Sequence, residues 1–240
     1  MRIITWNIGE DERNPDGKLS KDSYDYIIDT IKKENVDVIC LEEAIVKSDY
    51  LPKISKYINE NTDLKYSVEY ELSDSHINIG CKMGVVICSK FEIKNVEKIL
   101  LDNPGLVYKV NENVTYYSHD KGFINAEIEG INLIAGHCLP FHIFKESPLN
   151  YLEIFKKADD KFMELYNKNN NFVLCGDFNF ENAEKLFPKL TNNGQEAILE
   201  ATKNGKQSDH LIIGNNLKCS YSKVSENIFD HKYIICEVQN

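Results

Sequence analysis

Three runs in this chain, Val38-Ile39-Cys40-Leu41, Leu133-Ile134-Ala135 and Phe172-Val173-Leu174-Cys175, are apolar at every position. An extended strand sends successive side chains to opposite faces, so a strand without alternation has to be dry on both sides. The chain must therefore build covered layers, which excludes a single sheet with one wet face. Helical patterns lie between the strand-like runs. Tyr24, Ile27, Ile28 and Ile31 recur at three- and four-residue spacing behind a start that Ser20 or Asp22 could cap. Leu152, Phe155, Phe162 and Leu165 do the same within Leu149–Tyr166, and Asn167–Asn171 forms the polar exit.

The order of elements begins as strand, loop, helix, strand: Ile3–Ile8, the polar stretch Gly9–Leu19, the first helical pattern, then Val36–Leu41. A second helical pattern covers about Tyr50–Asn59, and β-type segments follow at Tyr66–Leu72, Gly84–Ser89, Val96–Leu101, Thr115–Ser118, Phe123–Glu129 and Ile131–His137. Glu129-Gly130 marks a hairpin. After Phe172–Cys175 come a helical segment near Ala183–Leu190 and strands at Leu211–Ile213, Leu217–Val224 and Tyr233–Val238. There is no sequence repeat, linker or charge block, so residues 1–240 read as one domain, an α/β fold with two packed sheets.

The formal net charge of -10 has the wrong sign for binding nucleic acid through a broad basic face. It leaves open a nuclease whose site meets phosphate charge with a bound divalent cation. The seven cysteines form no CxxC pair and sit mostly in apolar runs, which suits buried free thiols in a reducing compartment. With no leader and no apolar stretch long enough to span a membrane, a cytoplasmic, unprocessed protein is expected. Neither an exposed aromatic hairpin nor a membrane-seeking amphipathic helix is legible.

Residues suited to metals and phosphates follow the strands directly. Asn7 follows Ile3–Trp6, Glu42 and Glu43 follow Val38–Leu41, His137 follows Leu133–Gly136, and Asp177 and Asn179 follow Phe172–Gly176. Open α/β sheets place ligands at such carboxyl ends. Asp-His occurs twice, at Asp209-His210 and Asp230-His231, each ahead of a strand. Neighbours on a strand point apart, so Asp209 is expected to orient His231 across strands, leaving Asp230 for a metal or water, while His210 packs.

Taken together, Thr5-Trp6-Asn7, Asp37 to Glu43, Gly136-His137, Gly176-Asp177-Phe178-Asn179, Ser208-Asp209-His210 and Phe229-Asp230-His231 resemble the ordered motifs of the endonuclease/exonuclease/phosphatase family, which includes deoxyribonuclease I. The resemblance implies a four-layer α/β sandwich of the deoxyribonuclease I type, two central sheets flanked by helices, with one metal-dependent site. It implies that Asn7, Glu43 and Asp230 hold Mg²⁺ or Mn²⁺. It also implies that Asp177 and Asn179 position water and phosphate, that His231 oriented by Asp209 acts as base or phosphate partner, and that His137 donates to the phosphate or leaving oxygen. The expected function is a phosphodiesterase acting by in-line water attack, with DNA or RNA as substrate, no inferable protein partner and a monomeric state. The alternatives are a phosphomonoesterase or lipid phosphodiesterase, and a non-catalytic phosphate-binding module. Two departures stand out. Glu42 occupies the place where the family usually has Gln, and is expected to point the other way along its strand. His137 leads away from abasic-site endonucleases. Phe141 and His142 are either substrate contacts or loop packing, and His76 and His119 are expected at the surface without partners.

Overall fold

A computed structural model describes residues 1–9, 21–50, 52–75 and 78–239. Ser20, the side chain of Asp22, most of the Gly9–Leu19 loop and His76 lie outside the described residues. The first half of the chain forms β1 (Arg2–Asn7), α1 (Lys21–Glu34), β2 (Val38–Lys47), α2 (Ile54–Asn61), β3 (Tyr66–Asp74), β4 (Lys82–Ser89), β5 (Lys94–Leu101), β6 (Val107–Lys109), β7 (Thr115–Tyr117) and β8 (Lys121–Ile128). The second half forms β9 (Ile131–His137), α3 (Leu152–Lys168), β10 (Phe172–Asp177), α4 (Ala183–Leu186), α5 (Pro188–Thr191), β11 (Gly194–Glu196), β12 (Asp209–Gly214), β13 (Lys218–Ser225) and β14 (Tyr233–Gln239).

Two mixed sheets result, with strand orders β13-β14-β1-β2-β4-β3 and β5-β8-β9-β10-β12-β11. In each, one parallel pair joined through a helix, β1 with β2 and β9 with β10, sits among antiparallel neighbours. The two orders coincide when the second half is laid on the first, although the sequence shows no repeat. The first half supplies four strands to one sheet and sends β5 and β8 to the other; the second half reciprocates with β13 and β14.

Strand parity explains the layers. Ile3, Val38, Cys40, Leu133, Ala135, Val173, Cys175, Leu211, Ile234 and Cys236 share the core between the sheets. Their alternate neighbours face outward. Ile4, Trp6, Ile39 and Leu41 meet Tyr24, Ile27, Ile28 and Ile31 of α1 and Ile54 and Ile58 of α2. Ile134, Phe172 and Leu174 meet Phe155, Ala158, Phe162 and Leu165 of α3 and Leu186 and Leu190 beyond it. The result is the four-layer α/β sandwich, dry on both faces of each central sheet. Each such side chain taken fully from water stabilises the fold by roughly 1.5–3 kcal/mol.

Some expectations change. Leu152, counted in the α3 stripe, is 44% exposed at the first helical residue, and Ala158 fills the stripe instead. The second helix starts at Ile54 rather than near Tyr50, in keeping with the disfavoured helical conformation of a residue preceding proline, here Pro52. β6 and β11, three residues each, are too short for a periodicity to show. β6 pairs with β7 in a separate hairpin, and Val107, Val110, Val114, Tyr116 and Tyr117 along it are exposed. This corrects the expectation that no exposed aromatic hairpin exists. Among the cysteines, all free, Cys219 is only half-buried, and its Sγ lies 2.9 Å from that of Cys236 on the adjacent strand. No helix among the described residues is long and apolar enough to cross a membrane.

Candidate active site

The parity that dries the inter-sheet core also collects the polar residues. Counting along each strand from Ile3, Cys40, Ala135, Cys175 and Leu211, the next residues on the same face are Thr5 and Asn7, Glu42, His137, Asp177 and Asp209. The sandwich therefore ends in a polar cap where the carboxyl ends of β1, β9 and β10 and the middle of β2 meet the start of β12. The match is close because Gly136 and Gly176 stand opposite each other in the parallel pair. A Cβ on Gly176, whose φ is 135°, would come within 1.8 Å of the Gly136 carbonyl oxygen. Only glycine lets these strands bring His137 and Asp177 side by side.

Asp177 is the centre of the cluster. Its Oδ2 accepts from Asn7 Nδ2 at 2.9 Å and lies 3.4 Å from His137 Nε2 and 3.7 Å from His231 Nε2. Its Oδ1 accepts from the Asn179 backbone at 2.8 Å. Asn179 takes the left-handed conformation that asparagine tolerates, φ 52°, and its Nδ2 donates to the Cys138 carbonyl at 3.1 Å. His231 Nδ1 lies 2.8 Å from Asp209 Oδ2, the cross-strand pairing expected from the two Asp-His pairs. His210 points to the opposite face, stacked on Phe178 and bonded to Glu196 and the Phe180 carbonyl.

Glu43 breaks strand register at a bulge, with φ 51°. Its Oε1 is 3.6 Å from His137 Nε2 and 3.7 Å from Lys121 Nζ, beyond hydrogen-bond distance of both. Asp230, half-buried, accepts from Lys203 Nζ at 2.7 Å. Asp177, Asp209 and His231 offer ligand atoms within 4.8 Å of one another. Both Asp209 oxygens, however, lie within 3.1 Å of His231 Nδ1, so this trio is built as a carboxylate–imidazole relay.

Electrostatics follow from burial and crowding. Burial, then the charge of Asp209, pushes the Asp177 carboxyl up to about 6. For His231 burial acts to lower basicity, but Asp209 and Asp177 outweigh it and lift the imidazole to about 9, with Lys203 opposing. The Lys203 ammonium lies 2.7 Å from His231 Nε2, which requires that this nitrogen accept. The geometry is thus that of a neutral imidazole, poised to take a proton if the lysine withdraws. At His137 the Lys121 ammonium faces Nδ1 at 3.0 Å and the Asn179 amide nitrogen faces Nε2 at 3.0 Å, so both ring nitrogens meet donors.

Two site residues escaped sequence reasoning. Lys121 and Lys203 precede a strand or sit in a turn, whereas attention went to strand ends. Lys121 is 5% exposed at the mouth of β8, and a lysine directly ahead of Gly-Phe-Ile is the available signal. Glu42 does point away from Glu43, into the inter-sheet layer. It is wholly buried, its Oε1 accepting from Thr5 Oγ1 at 3.0 Å while Oε2 has no hydrogen-bond partner. Burial, with Cys175, Asp209 and Asp177 nearby, raises its pKa well above the ordinary value. Phe141 is core, packed on Tyr151 and Phe155, so base stacking by it is ruled out; His142 is exposed. His119 is half-buried near Lys121, Asp120 and Asp74, not a partnerless surface residue.

A family model described as Endonuclease/Exonuclease/phosphatase family matches residues 4–217. Among solved structures, an endonuclease/exonuclease/phosphatase family protein from Leptotrichia buccalis is similar over 100% of both chains, with TM-score 0.65 and 18% identity. A 3′ phosphatase from Neisseria bound to product DNA hairpin gives TM-score 0.66 at 16% identity, covering 100% of this chain and 99% of that one. A mannosyl-6-phosphatase from Bacteroides thetaiotaomicron gives 0.63 at 13%, over 100% of both. No curated protein sequence matches the chain.

Proposed function

As the chain belongs to the endonuclease/exonuclease/phosphatase family, we propose that it is a divalent-metal-dependent phosphodiesterase of nucleic acid, acting as one catalytic domain over residues 1–240. The observation that carries the reading is the contact chain Asn7–Asp177–His231–Asp209 in the polar cap, with Glu43, His137 and Asn179 around it.

Asn7, Glu43 and Asp230 would hold Mg²⁺ or Mn²⁺. Amide and carboxylate oxygens are hard donors suited to these ions, and the crowding of acids that raises Asp177 is the charge a divalent cation relieves. When bound, such an ion neutralises a phosphoryl oxygen and lowers the pKa of water. Asp177, ionised above about 6, takes the proton of the attacking water. Asn179 aligns the phosphate through its amide. His137 donates to a phosphoryl or leaving oxygen, and Lys121 beside it adds positive charge. His231, held by Asp209, donates to the phosphoryl group once its Nε2 carries a proton.

With nucleic acid as substrate, purified protein and Mg²⁺ or Mn²⁺ cleave DNA or RNA, chelator abolishes cleavage, and Asp177→Asn and His231→Ala each lose at least about 100-fold in rate. Absence of cleavage on single-stranded DNA, duplex DNA and RNA defeats the nuclease reading. A second reading, phosphomonoester hydrolysis, is favoured by the net charge of -10 and by phosphatases among the similar structures. Release of inorganic phosphate from small monoesters, in the same panel, selects it. A monomer in the cytoplasm completes the proposal.

A further inference from the structure

Between β11 and β12 the chain reverses at Lys203-Asn204-Gly205-Lys206. The backbones of Lys203 and Lys206 bond each other both ways, at 3.0 Å and 2.8 Å. Asn204 and Gly205 have φ of 49° and 78°. Two left-handed residues in an Asn-Gly pair are the two-residue hairpin turn that matches strand twist. Residues flanking such a turn stand directly opposite, with side chains on the same side and Cβ atoms about 5 Å apart. Two lysine side chains thus leave the turn on the same side.

Lys203 is directed toward the site. Lys203 Nζ reaches Asp230 Oδ2 and His231 Nε2, each at 2.7 Å, while Lys206 is exposed. From the loop after β9, exposed His142 feels both lysines, which with partial burial lower its basicity. In a chain of net charge -10 the general field repels phosphates, so cations concentrated at one rim of the cleft mark where an anion is admitted. The lysine–imidazole contact fits the same account. Lys203 Nζ and His231 Nε2, 2.7 Å apart, are close enough to address one phosphoryl oxygen together.

We propose that the Lys203–Lys206 turn, with His142, is a second-anion subsite: Lys203 serves the phosphate under attack, and Lys206 and His142 hold a neighbouring phosphate. The preferred substrates are therefore phosphoesters carrying two phosphoryl groups joined through a single sugar, as in an oligonucleotide or a nucleoside bisphosphate, over isolated monophosphates. This rests on the phosphoesterase reading for the placement of the cleaved group, but its test does not depend on turnover.

The experiment is calorimetric titration with thymidine 3′,5′-bisphosphate and thymidine 5′-monophosphate, on the Asp177→Asn protein with Mg²⁺ and on wild type with chelator. The bisphosphate is expected to bind roughly 3- to 10-fold tighter, the scale of two exposed charge contacts, and the preference to shrink at high salt. Lys206→Gln brings the ratio to about 1, whereas Lys56→Gln, an exposed lysine on α2, leaves it intact. Equal binding of the two nucleotides by both proteins, or a ratio that survives Lys206→Gln, overturns the proposal. If the bisphosphate is preferred yet no ester is hydrolysed, the subsite stands and the hydrolytic reading falls.

Discussion

Replacing Glu42 by Gln should stabilise the protein, and more so as pH rises. In the folded chain this carboxyl is sealed between the sheets, with Thr5 at one oxygen, none at the other, and Asp209 and Asp177 near enough to oppose its ionisation. Its folded pKa is raised above the ordinary 4.5, so the native state holds a proton that the unfolded chain releases. The native state then binds more protons than the unfolded one, and stability falls with increasing pH by about 1.4 kcal/mol per unit between the unfolded and folded pKa values. Gln has no such slope. Its oxygen keeps the Thr5 bond and its amide N–H points into the negative surroundings. Each pH unit between those two values therefore widens the gap by about 3–6 °C in Tm for a chain of this length. Thermal melts of both proteins at pH 5, 6 and 7 measure it. A variant whose Tm keeps the same offset from wild type at every pH would refute the reasoning, because it would mean that the Glu42 pKa does not change on folding.

Three further outcomes follow from the site and the sheets. The pH dependence of kcat/KM should rise through about 6 as Asp177 ionises, and Mg²⁺ should carry that limb to more acid pH; an acid limb unmoved in Asp177→Asn contradicts the assignment. Lys121→Met keeps the buried stem and deletes the charge, and should cost about 10- to 100-fold in kcat/KM, the worth of one charge-assisted hydrogen bond; a rate within twofold of wild type removes Lys121 from the site. A mild oxidant should join Cys219 to Cys236, with loss of two hydrogens by mass and a gain of up to about 3 kcal/mol from the closed loop; Cys219→Ser should abolish both.

The central strands were legible because both faces of each are dry, which leaves continuous apolar runs in the sequence. Their ends were not, since the runs stop at Leu41 and Cys175 whereas the strands continue through Lys47 and Asp177. Polar residues that finish a strand look like loop, and only burial in the cap distinguishes them. Asn7, His137 and Asp177 could be named because each follows its run within two residues. Lys121 and Lys203 gain meaning only from partners 16 and 28 residues away, His137 and His231, which no local pattern reports. Parity also separates Glu42 from Glu43, yet the bulge that gives Glu43 its left-handed backbone is invisible in Leu-Glu-Glu-Ala.

The reciprocal lending of strands has a thermodynamic consequence. Neither half owns a whole sheet: detaching β13 and β14 uncovers one flank of β1, and detaching β5 and β8 uncovers one flank of β9. Partial melting would strand ladder hydrogen bonds in both layers at once, so the two interlocked halves are expected to unravel together in a single all-or-none step, with calorimetric and van't Hoff enthalpies equal.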